Sequence, residues 1–82
     1  MEVTFFINWG LNSYQRTHRL DVVPRVGELV CWNVPKDLRG RVDRVVHYVE
    51  DNRVTVELEI PAHWLTDEAE LRQLEVSWQR RT

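Results

Sequence analysis

Eighty-two residues with a net charge of −2, 43% hydrophobic and 29% charged, fit one soluble globular domain. Three Gly and three Pro are too few for a disordered chain, and no run approaches the roughly 20 apolar residues of a membrane-spanning helix. The charge is uneven: residues 1–53 carry eight Lys/Arg against seven Asp/Glu, and residues 54–82 carry three against six, so no global basic field marks a polyanion binder.

A chain this short buries only about 60–65% of its unfolded surface, so one core must serve the whole fold. Four Trp, two Tyr and two Phe let few residues fill it. A lone cysteine, Cys31, rules out an intramolecular disulfide and fits a reducing compartment. The opening MEVTFFINWG has no basic leader and too short an apolar run for a signal peptide, so the expectation is a cytoplasmic protein.

Taken in chain order, residues 2–9 place Val3, Phe5, Ile7 and Trp9 in one phase against Thr4 and Asn8, which predicts a strand. Gly10 and Asn12-Ser13 supply turn chemistry. Residues 14–23 resume the alternation, with Tyr14, Arg16, His18, Leu20 and Val22 in phase, so a hairpin is expected. Pro24 closes that strand because it lacks the ladder N–H. Gly27 turns into a third strand, Glu28 to Val34. In its apolar sequence Trp32 reads as core, and Cys31 as a small buried hydrophobe rather than a nucleophile.

After the loop Pro35-Lys36-Asp37, a fourth strand runs from Gly40 to about Val49. In the fifth, Val54, Val56, Leu58 and Ile60 alternate with Thr55, Glu57 and Glu59, giving one buried and one wet face. The turn around Asp51-Asn52 has two readings. A two-residue turn opposes His47 to Val56 and keeps His47 on the core face. A three-residue loop with Asn52 left-handed shifts the register by one and turns Tyr48 inward instead.

From Thr66 the period changes. Asp67 and Glu70 have capping-box spacing, acidic residues crowd the first turn, and Leu71, Leu74 and Trp78 share a helical face. A helix over about 66–77 is favoured. Leu74, Val76 and Trp78 also alternate as a strand would. The expected fold is mainly β with one C-terminal helix: a small antiparallel barrel of about five strands over residues 1–61 and a helical segment over 62–82, in one domain.

The residues Gly27, Val30, Gly40, Val42, Val45, Val54, Val56 and Leu58, in PRVGELV, GRVDRVV and VTVELE, resemble a small SH3-like barrel of the KOW type found in short bacterial and phage proteins. The likeness covers about residues 24–60. It implies an SH3-like fold, and it implies a phage or mobile-element accessory protein or inhibitor of a host system. It assigns no catalytic residue.

The candidate binding residues are Lys36, Arg39, Arg41, Arg44 and Arg53, with Trp9, Tyr48 and Trp64 as rings that could meet a partner. Against a nucleic-acid face stand Glu50, Asp51, Glu57 and Glu59 in the same hairpin, which predict Arg44 paired across strands with Glu57 or Glu59. His18, His47 and His63 match no metal-ligand spacing, and no phosphate loop, nucleophile elbow or paired-Cys motif is present, so neither metal, cofactor nor enzymatic activity is expected. The favoured expectation is a non-enzymatic protein that binds another protein or a second copy of itself through an edge strand. Binding of RNA or DNA through the 36–53 basic residues is the alternative.

Overall fold

The computed structural model describes residues 1–9, 12–33, 37–60, 72, 75 and 77–81, with only the backbone of Trp9, Asn12 and Arg81. Period-2 alternation dominates these residues, and they form strands β1 (Glu2–Trp9), β2 (Asn12–Arg19), β3 (Leu29–Trp32), β4 (Leu38–Tyr48), β5 (Arg53–Glu59) and β6 (Gln79–Arg81). All six belong to one curled sheet in the order β3-β4-β5-β1-β2-β6. The result is a small, mostly β half-barrel, an arrangement compatible with an SH3-like barrel.

Register explains the core. Val3, Phe5 and Ile7 of β1 stand opposite Val54, Val56 and Leu58 of β5, and opposite His18, Arg16 and Tyr14 of β2. Because neighbouring strands share faces at paired positions, the two apolar rows merge on the concave side. Leu38 and Val42 of β4, Trp32 of β3 and Trp78 ahead of β6 complete the buried cluster. Gly40 sits at a close approach of β4 to β5: a Cβ there would lie 3.1 Å from the Leu58 Cβ and 3.3 Å from Ile60 Cγ1.

A bulge between Val42 and Arg44 sets the faces of β4. Before it Leu38, Gly40 and Val42 point inward; after it Val45 and His47 take the inner positions opposite Val56 and Val54. The extra residue changes the phase, so Val42 and Val45 both serve the inner side despite their odd spacing. It also leaves Arg39, Arg41 and Arg44 together on the outer face.

Trp32 links the two ends of the curl. Its ring meets Phe5 of β1 edge-on at 4.9 Å and Trp78 at 5.0 Å, and its indole Nε1 donates to His18 Nε2 on β2 at 2.9 Å. β3 is the first strand of the sheet and β2 the fifth. Trp32 therefore ties strands that share no ladder.

Four expectations need correction. The expected C-terminal helix is not part of the described fold: of residues 66–77 only Arg72, Glu75 and Ser77 are described, and they delineate no helical element. The chain's last described residues, Gln79–Arg81, assigned to the helical segment, instead form β6 against Ser13–Gln15 of β2. Gln79, Arg80 and Arg81 find backbone partners on the open side of β2, a long-range pairing that capping spacing and an apolar stripe do not encode. The sheet has six strands, not about five, and it is not purely antiparallel, because β1 and β5 run parallel. Alternation marks a strand's buried side without naming its neighbour. Cys31 is exposed rather than core, since it shares the outer phase of β3 with Leu29.

Candidate interaction surface

The β4–β5 hairpin positions the site. Tyr48 pairs with Arg53, and residues 49–52 form the loop, with Asn52 left-handed at φ 52°. This is neither expected register. Asn52 adopts the conformation anticipated for the three-residue loop, yet four residues connect the strands. His47 stands opposite Val54, on the inner side but exposed at the rim; Tyr48 lies on the outer face.

Met1, Tyr48, Val49, Asp51 and Arg53 converge at this hairpin tip. The Arg53 guanidinium carbon lies 4.7 Å from the Tyr48 ring centroid, and Arg53 Nε is 3.5 Å from Asp51 Oδ2. The carboxylate and the ring together orient the guanidinium, a stacked geometry worth about 0.5–1 kcal/mol at an exposed site. Val49 is 87% exposed, and Met1 and Tyr48 are each more than 40% exposed. Met1, Tyr48, Val49, Arg53 and the flank of Val54 border one shallow depression. An aliphatic β-branched residue at the start of a turn is chemically out of place, and Val49 has no inner position to fill.

The expected site residues divide. Arg39, Arg41, Arg44, Tyr48 and Arg53 all reach the outer face of β4 and β5, but the cations are interleaved with acceptors. Arg39 Nη2 is 3.7 Å from Asp37 Oδ2, and Arg44 Nε is 3.9 Å from Glu57 Oε2. Arg41 Nη1 donates to the Gly27 carbonyl at 2.7 Å. The cross-strand Arg44–Glu57 pairing is the one expected from the alternation of β5. The Trp9 side chain, Lys36 and Trp64 lie outside the described residues, as does His63. Val49 and Met1 were missed by sequence reasoning; the usable signal was a Val directly ahead of the Glu50-Asp51-Asn52 turn.

The histidines are separated in role. His18 accepts the indole proton of Trp32, and burial, with Arg16 as the second cause, holds its pKa below the ordinary value. His47 lines the tip depression. Among the described residues no three His, Cys, Asp or Glu gather into a metal-binding group. Tyr14 is fully buried with its hydroxyl directed at Glu75 Oε1 (3.4 Å), and burial and that carboxylate raise its pKa. Among the described residues no helix is long and apolar enough to cross a membrane.

No protein-family model matches the chain, and no curated protein or solved structure matches it significantly.

Proposed function

We propose that this is a non-enzymatic binding protein whose contact site for another protein is the β4–β5 hairpin tip: Met1, Tyr48, Val49 and Arg53. The observation that carries this reading is the exposed Val49 beside a Tyr48–Arg53 stack. Tyr, Met and Arg are enriched at protein interfaces, and Tyr and Arg are frequent hot spots. An aromatic ring already ordered by an arginine loses little rotamer freedom on binding. Within this proposal the domain is of the SH3-like, KOW type, acts in the cytoplasm, and serves as an accessory protein or inhibitor of a host system.

RNA or DNA binding has less support. Arg39, Arg44 and Arg53 each lie within 4 Å of a carboxylate, which would meet phosphates with like charge. Affinity purification of the chain from the cells that encode it, followed by calorimetry with the recovered partner, tests the reading. Val49→Asp and Tyr48→Ala should each weaken binding by about 10-fold or more, the scale of a hot-spot loss. A recovered nucleic acid whose affinity collapses as salt rises would overturn the proposal, because counterion release marks phosphate contact.

A further inference from the structure

A second surface lies away from the hairpin tip, at the edge of β3. This strand ends the sheet, and among the described residues no strand lies beyond it. Its open side can be read from the hydrogen bonds. The Glu28 carbonyl accepts from the Val42 N–H at 2.8 Å, and the same register continues through Val30↔Gly40 and Trp32↔Leu38. Antiparallel pairing alternates bonded and non-bonded positions. Residues 28, 30 and 32 therefore turn their backbone groups to β4, and Leu29 and Cys31 turn theirs outward.

Within the strand itself no charge or proline guards the edge. Leu29–Trp32 reads LVCW, without Lys, Pro, an acidic residue or an internal bulge. Leu29 is 54% exposed and Cys31 is exposed, and the segment leading into β3 adds Val26 at 65% and Val22 at 78%. A short uncharged edge flanked by bare aliphatic side chains is built for strand addition.

We infer that β3 pairs antiparallel with β3 of a second copy of this chain, about a two-fold axis at Val30, joining two half-barrels into one continuous sheet. The hydrogen-bond parity is self-complementary. With Val30 on the axis, Leu29 faces Cys31 of the other copy and Cys31 faces its Leu29, so the outward N–H and C=O of both residues are satisfied in each protomer. The stretch Leu29–Cys31 that pairs about the axis carries no charge, and the Glu28 carboxylates lie at its opposite ends, so copies of a net negative chain meet there without close repulsion. The nearest outer-face cations, Arg39 and Arg41, remain one strand inward, beside Asp37 and bonded to the Gly27 carbonyl. Leu29, now bare, gains a cross-strand apolar neighbour. An interface of three paired residues plus Val22 and Val26 falls at the small end of specific contacts, so the dimer is reversible, with Kd about micromolar or weaker. The two Cys31 Cα atoms stand about 8–9 Å apart by strand spacing and rise, too far for a direct disulfide. Assembly is therefore indifferent to reductant. Each dimer carries two hairpin tips.

Sedimentation analysis of the full chain over a wide concentration range tests this, paired with bismaleimide cross-linking of its one cysteine. The expected result is a concentration-dependent dimer that cross-links through Cys31. Leu29→Lys should abolish both signals while the circular dichroism and melting curve stay as in the unaltered chain, since Leu29 is already exposed. Val49→Asp should leave the dimer intact, which separates this inference from the partner site at the tip. A monomer at every concentration overturns the inference. So does a dimer that survives Leu29→Lys or fails to cross-link, because another surface would then hold it.

Discussion

His18 and Trp32 form the contact most sensitive to solution conditions. Trp32 donates its only side-chain N–H to His18 Nε2, so that nitrogen must be unprotonated and the imidazole neutral, with its proton on Nδ1. Adding a second proton removes the acceptor and sets two donors against each other. It also places a cation beside Phe5 and Trp32 and near Arg16, the charged neighbour that depresses the His18 pKa along with burial. The lowered folded-state pKa means that the unfolded chain, with histidine near 6.5, takes up the proton first as pH falls. The stability from this contact is fully present above about 6.5 and is lost as the pH drops toward the depressed folded-state value. Thermal melts should therefore show the protein losing stability as the pH falls below about 6.5, and His18→Gln, which keeps an acceptor but does not titrate, should flatten that decline. Equal slopes in the two proteins would remove His18 from the account. On the outer face the scale is different: Arg44–Glu57 is an exposed pair at 3.9 Å, and Glu57→Gln should change the unfolding free energy by no more than about 0.5–1 kcal/mol in urea titration.

At the level of elements, β4 depends on a glycine and a bulge. Gly40→Ala puts a methyl group against Leu58 and Ile60 at 3.1–3.3 Å, and the overpacking should cost about 1–3 kcal/mol by denaturant unfolding. How far the sequence revealed these elements follows from what alternation can encode. Val54, Val56 and Leu58 showed the inner face of β5 directly, because Thr55, Glu57 and Glu59 mark the other side. Trp32 was correctly read as core from its phase with Val30. Cys31 was not, because LVCW has no polar residue to mark its outer side. The bulge at Asp43 was hidden for a similar reason: valines stand at 42, 45 and 46, so either phase satisfies the pattern. The parallel β1–β5 pairing and the β2–β6 ladder are long-range choices of neighbour that no local period contains. The tip was half legible: Tyr48 and Arg53 stood out by residue type, but the loop length that brings them together depends on four turn residues acting jointly.

The molecule as a whole is held by closure of its curl, and Trp78 is central to that closure. It is 2% exposed, packs on Trp32, and directly precedes the strand that pairs with β2. Trp78→Ala should cost about 3–5 kcal/mol, a large share of the stability of so small a domain, and chemical denaturation would show it. With the core on the inner side and the outer arginines interleaved with carboxylates, the hairpin tip and the β3 edge are exposed apolar surfaces among the described residues. The most direct test of the central claim is a photo-crosslinking amino acid at position 49, introduced in the cells that encode the chain, with position 17 on the outer face of β2 as control. The account predicts one defined protein captured from position 49 and not from position 17. Capture of nucleic acid at position 49, or the same products from both positions, would contradict it.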